Sequence, residues 1–216
     1  SFEEESGTIA ADSVGTLSGT LTSAALWSND TSTIVCTTST SNQNAGPSIE
    51  MDGTNDYITM GGNSTLAVSS SQGRSFLMDF KPDSYGAALI SRYVNFSSGS
   101  SSFSIAINSS GKVVVTGNGL NDINSTNAVA LNQWQRLAVT ISSSGQAKIY
   151  IDGILDGSGT ITLNSSIPST VLTLGTFNST QLTNRYDGTL DNLVIWDGEM
   201  TVRRNFCSSN FAIPNN

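Results

Sequence analysis

The chemistry open to this 216-residue chain is narrowed first by what it lacks. It has no histidine, so the commonest general base, every Ser-His-Asp or Cys-His arrangement and the usual zinc ligand are absent. Its two cysteines, Cys36 and Cys207, form no CxxC pair, which excludes a thioredoxin motif, an iron–sulfur cluster and a zinc site. Carboxylates remain: 17 Asp and Glu stand against 9 Lys and Arg, a formal charge of −8. Retaining glycoside hydrolysis needs two carboxyl groups about 5–5.5 Å apart. An E-x-D-x-x-E run on a strand is one route to them, because alternate side chains share a face. In Glu50-Met51-Asp52-Gly53-Thr54-Asn55 the first two acids are in place, but Asn55 stands where the third belongs. No proton donor for a leaving group is supplied, so the chain is expected not to be an enzyme.

Binding chemistry is better represented. A glycan pocket combines an exposed ring with Asn, Asp and glycine backbone groups in loops. The stretch Thr116-Gly117-Asn118-Gly119-Leu120-Asn121-Asp122 holds the polar part, and Tyr93, just after Arg92, offers a ring on an adjoining loop. Tyr93, Asn118 and Asp122 are therefore the candidate ligand-binding residues, although such a composition is also ordinary for loops in a chain with 20 Asn and 20 Gly. Nucleic acid is not an expected partner, because phosphate neutralisation needs clustered Lys and Arg and the chain has no basic patch. No run of 18 apolar residues occurs, so insertion into a membrane is not expected either.

The elements that must position these residues read as strands. Phe76, Met78 and Phe80 alternate with Leu77, Asp79 and Lys81, and Phe103, Ile105 and Ile107 alternate with Ser104, Ala106 and Asn108. Two hairpins are expected: one turns at Ser109-Ser110-Gly111 into Val113-Val114-Val115. The other runs from Leu137, Val139 and Ile141 through Ser143-Ser144-Gly145-Gln146 to Ile149 and Ile151. Near the end, Leu193 and Ile195 share one face, and Val194 and Trp196 the other. This period of two is the mark of strands with one buried face. Polar stretches at 28–43, 95–102 and 121–127 read as loops, and a turn or two of helix is expected only at 200–206. Trp134 and Trp196 are expected in the core, Trp27 less so. The pattern predicts one all-β domain over residues 1–216.

Read in order, the segments resemble the LamG-like jelly-roll domains of the concanavalin A-like lectin/glucanase superfamily. The opening Phe2 to Gly15, with its acidic triplet, Ser6-Gly7-Thr8 and Ala10-Ala11-Asp12-Ser13-Val14-Gly15, is similar to the family's entry, followed by Gly19-Thr20-Leu21 and Trp27. Next come Ile49-Glu50-Met51-Asp52-Gly53-Thr54-Asn55-Asp56-Tyr57-Ile58, Phe76 to Pro82, Leu89-Ile90-Ser91-Arg92 and Leu131 to Thr140. Ile149-Tyr150-Ile151-Asp152-Gly153, Leu172-Thr173-Leu174-Gly175 and Tyr186-Asp187-Gly188-Thr189-Leu190-Asp191-Asn192-Leu193 complete the series. Phe2 departs from the family's usual Trp, and the usual acidic helix near the end is missing.

The resemblance implies a two-sheet antiparallel β-sandwich, a concanavalin A-like jelly roll, with the first and last strands side by side. That juxtaposition would bring Asp12 towards Asp191 and Asn192, and LamG-like domains often hold one Ca²⁺ at such a rim, with help here from the carbonyl of Val14 or Gly15. The alternative is that Asp12 caps a turn and Asp191 satisfies backbone amides. Neighbouring ends would also let Cys36 and Cys207 close a disulfide, which favours an oxidising compartment; two separate thiols are the alternative. The implied function is a non-catalytic module at a cell or virion surface or outside the cell, binding glycans or glycoproteins. The alternative is a self-associating structural or decorating subunit of a virion, fibre, pilus or cell-surface layer, since fold alone does not decide.

Overall fold

In a computed structural model of the chain, each alternating run becomes a strand. The structure describes residues 4, 6–12, 17–22, 25–32, 47–61, 66, 68–69, 71–92, 103–118, 122–163, 171–177 and 184–200. The strands are β1 (Ile9–Ala10), β2 (Gly19–Thr22), β3 (Leu26–Ser28), β4 (Ser48–Asp52), β5 (Tyr57–Met60), β6 (Arg74–Pro82), β7 (Ala87–Arg92) and β8 (Phe103–Ile107). They continue as β9 (Lys112–Thr116), β10 (Asp122–Ala128), β11 (Gln135–Ile141), β12 (Gln146–Ile151), β13 (Ile154–Thr160), β14 (Leu172–Leu174) and β15 (Asp187–Asp197). They form an eight-stranded sheet in the order β1-β2-β5-β14-β7-β8-β9-β10 and a seven-stranded sheet in the order β13-β12-β11-β6-β15-β4-β3. All neighbours are antiparallel, which is the expected β-sandwich.

The inward faces are those read from the alternation. Phe76, Met78 and Phe80 of β6 meet Phe103, Ile105 and Ile107 of β8, with Leu137, Val139 and Ile141 of β11 in the same cluster. Phe76 and Phe103 touch in a tilted pair with ring centroids 4.9 Å apart. Removing this much apolar surface from water, at roughly 25 cal/mol per Å², is what drives the two sheets together.

Side chains close the sandwich along both edges. On one side the Trp27 indole N–H donates to the Gly7 carbonyl at 2.8 Å, joining the β3 edge to the chain entering β1. On the other, Asp156 accepts from the Asn127 backbone N–H (3.1 Å) and side-chain amide (2.6 Å), joining β13 to β10. Gly157 is needed there, because a Cβ at that position would lie 2.6 Å from the Asn124 carbonyl oxygen.

The structure corrects three expectations about elements. The span 121–127 is not a loop: from Asp122 it forms edge strand β10, whose Ile123 and Ser125 turn inward and stay buried. Two of the tryptophans are placed differently. Trp27 packs against the main core, whereas Trp196 lies on the outer face of the seven-stranded sheet beside Leu77 and Ala138. Trp134 is half-buried and donates its indole N–H to Asp30 Oδ1 at 3.2 Å. Finally, β1 and β15 are not neighbours: β1 ends the eight-stranded sheet, and β15 lies inside the other between β6 and β4. Residues 201–206 and the tail beyond them, Cys36 and Cys207 lie outside the described residues.

Two straps cross the outer face of the seven-stranded sheet. The first is 29–32, leaving β3. Ser32 Oγ donates to Asp79 Oδ2 (2.8 Å), Asp30 pairs with Lys81, and Ser48 Oγ donates to the Asp30 carbonyl (2.8 Å). The second is 198–200, where Ser75 Oγ donates to the Gly198 carbonyl (2.8 Å) and accepts from the Met200 N–H (2.9 Å). Lys148 meets Glu199 at 2.7 Å, and Met200 is buried on Leu77 and Ala138.

Candidate functional site

The acids expected at a calcium rim are held elsewhere. Asp12 follows β1 and accepts from the Leu17 N–H at 3.0 Å. Asp191 lies in mid-sheet opposite Asp79, with Oδ1 accepting from the Asn192 N–H (2.6 Å) and Oδ2 from the Ser32 N–H (3.5 Å). Asn192, in a left-handed conformation (φ 51°) where β15 bulges, donates its side-chain amide to Asp79 Oδ2 at 3.0 Å. Asp79 is fully buried and receives the Nε and Nη2 of Arg136 at 2.6 and 2.7 Å. Asp191 and Asn192 thus belong to a buried network that ties down the first strap. Among the described residues no three His, Cys, Asp or Glu side chains gather to hold a metal ion, and Gly15 and Val14 lie outside them.

Asn118 and Asp122 lie at one end of the eight-stranded sheet. Arg92 pairs with Phe103, Ser104 with Thr116 and Thr116 with Asp122, so the connections 93–102 and 117–121 leave the same edge. Asn118 is half-buried with its N–H on the Thr162 carbonyl at 2.7 Å, and Asp122 is exposed. Tyr93 lies outside the described residues. At this end Arg74 and Arg92 are buried, and burial pushes both guanidinium groups below their ordinary range.

The opposite end carries an arrangement that the sequence reading missed. There the turn 53–56, between β4 and β5, lies beside the approach to β15. Asp52 Oδ1 accepts from the Thr54 N–H at 2.8 Å, and Asp56 Oδ2 accepts from the Asp52 N–H at 3.0 Å. Gly53, at φ 71°, lets the turn pass Asp187; a Cβ there would lie 2.9 Å from the Asp187 Cβ. The hydrogen bond from Thr54 N–H outweighs the opposing effect of burial and holds the Asp52 carboxyl below the usual carboxylate range.

Arg185 is built into this corner. Asn184 turns left-handed (φ 59°), and Tyr186 is fully buried with its hydroxyl donating to the Thr189 carbonyl at 3.2 Å. Between them the Arg185 side chain is 6% exposed, its guanidinium carbon 4.9 Å from the centre of the Tyr57 ring. Nη1 donates to the carbonyls of Asn55 (3.3 Å) and Asp56 (3.4 Å). Nε and Nη2 are buried and have no hydrogen-bond partner. A buried donor left unmade costs on the order of 1–3 kcal/mol, and more for a charged group. Sequence patterns give Arg185 no signal, since only the fold shows that its N–H groups lack an acceptor.

The sequence pattern of the concanavalin A-like lectin/glucanases superfamily matches residues 52–204, a span that takes in both the 53–56 turn and Arg185. No curated protein sequence matches this one. Among solved structures, the chain is similar to domain 4 of AbnA, a GH43 extracellular arabinanase from Geobacillus stearothermophilus, in complex with arabinotriose. The identity is 18%, the TM-score 0.64, and 88% of each chain is covered. It is also similar to the botulinum neurotoxin serotype G binding domain, at 17% identity and TM-score 0.63, covering 88% of this chain and 46% of that one. A third likeness is to the CBM40 of Ruminococcus gnavus IT-sialidase bound to α2,3-sialyllactose, at 16% identity and TM-score 0.55, covering 69% of this chain and 89% of that one.

Proposed function

The chain belongs to the concanavalin A-like lectin/glucanase superfamily, and from that premise we propose that it is a non-catalytic glycan-binding module working outside the cell or at a cell or virion surface. The observation that carries this reading is Arg185: an immobilised guanidinium against a tyrosine ring, with donors to spare, beside a turn rich in Asn, Asp and Gly. Rings and preset polar groups of this kind orient small polar ligands. Two of the similar folds were solved with an oligosaccharide, arabinotriose or sialyllactose, which supports the class of ligand. The absence of catalysis is supported by Asn55, which stands where the proton-donating third acid of an E-x-D-x-x-E run would belong.

The test is a glycan-array screen of the whole chain, once in calcium and once in EDTA. Binding to a defined set of glycans in both buffers is expected. Binding abolished by EDTA would return a calcium ion to recognition, and silence in both would overturn the module reading. Weight would then pass to a self-associating subunit, for which Leu26 on β3 and Ile154 and Leu155 on β13 are exposed at the two edges of one sheet.

A further inference from the structure

Resting on the glycan-binding reading, we infer that the ligand is an acidic glycan and that Arg185 receives its carboxylate through Nε and Nη2. These two nitrogens form one edge of the planar guanidinium, the edge that takes a carboxylate bidentately. The same molecule shows the filled version: Arg136 holds both oxygens of Asp79 through Nε and Nη2, at 2.6 and 2.7 Å. Arg185 offers that edge with no acceptor on it. Its other edge is committed to the Asn55 and Asp56 carbonyls and its face to Tyr57, so the guanidinium is already oriented.

Among the described residues no carboxylate forms an ion pair with Arg185. The acids on the neighbouring elements are Asp52, Asp56 and Asp187. Asp52 and Asp56 each turn a carboxylate oxygen onto a backbone N–H of their own turn, which spreads those charges into the turn. Asp52 is exposed, so its charge is screened beyond about 8 Å at physiological salt, whereas Asp56 is buried and acts mainly through its bond to the Asp52 N–H. The open edge is enclosed, so the rim must part locally for a ligand to enter. Once inside, the carboxylate meets charged donors out of competition with water, where such a bond is strongest. Two sources share this chemistry, uronic acids and sialic acids.

The experiment is a calorimetric titration of the full chain with an oligogalacturonate and with sialyllactose. Their neutral counterparts, the methyl-esterified oligogalacturonate and lactose, are run alongside. At least one acid should bind ten times more tightly than its counterpart, and which one does so identifies the source. Arg185→Lys keeps a positive charge but loses the two-pronged edge, and it should bring the affinity for the acid down to that for its neutral counterpart. Arg185→Gln serves as a second variant, and both are checked for an unchanged melting transition before titration. Equal affinity for acid and neutral sugar, or a preference that survives in both variants, overturns the inference and leaves the module reading standing. No binding of any sugar overturns both.

Discussion

Arg136 and Arg185 are buried to nearly the same degree, at 5% and 6% exposure, yet only Arg136 has a carboxylate on its fork. The consequence for stability differs accordingly. Arg136→Met leaves Asp79 as an uncompensated buried charge, so it should cost about 3–5 kcal/mol. The double change Asp79→Leu with Arg136→Met should recover a large part of that loss, because no orphaned ion remains. Urea unfolding of the two variants beside the parent checks both statements. Asp79 stood in the sequence as the outward member of an alternating strand, and its partner 57 positions away left no local trace. Asp191 was visible as an acid near the end of the chain, but its work on the Asn192 and Ser32 amides is set by a sheet register that no motif prints.

At the scale of elements, the strap 29–32 is held by charges that titrate. Burial opposes ionisation of Asp30, but the hydrogen bonds from Lys81 and Trp134 outweigh it and hold the carboxyl below its usual value. A folded-state value below the unfolded one means that the contribution is present above the unfolded pKa, about 3.9. It is lost as pH falls through the lower, folded one. Below about pH 4 the Asp30 end of the strap should therefore loosen. Trp134 fluorescence should follow that step in the parent, and in Asp30→Asn it should already be shifted at neutral pH. Strands were legible where apolar alternation was strong, as in β6, β8 and β11. Edge strand β10 was not: its outward positions Asp122, Asn124 and Thr126 resemble loop composition, and pairing with β9 decides the matter instead.

For the whole molecule, the two sheets and their facing sides were readable from periodicity because each strand has to bury one face. Which strands neighbour each other was readable only in part. The hairpins β8–β9 and β11–β12 followed from short turns with Gly111 and Gly145, both at positive φ. The expectation that the first and last strands adjoin failed because β1 and β15 lie in different sheets. No helix among the described residues is long and apolar enough to cross a membrane. The first strap also bears on the order of events in folding. Ser32 reaches Asp191 across 159 positions and Asp79 across 47, so it has nowhere to dock until β6 and β15 lie side by side. Because the strap docks only on that finished pair of strands, its contacts are expected to form after the sheet itself. Ser32→Ala should hence speed unfolding several-fold in stopped-flow experiments and leave the refolding rate almost unchanged. The strap acts as a brake on unfolding rather than as a guide to the fold.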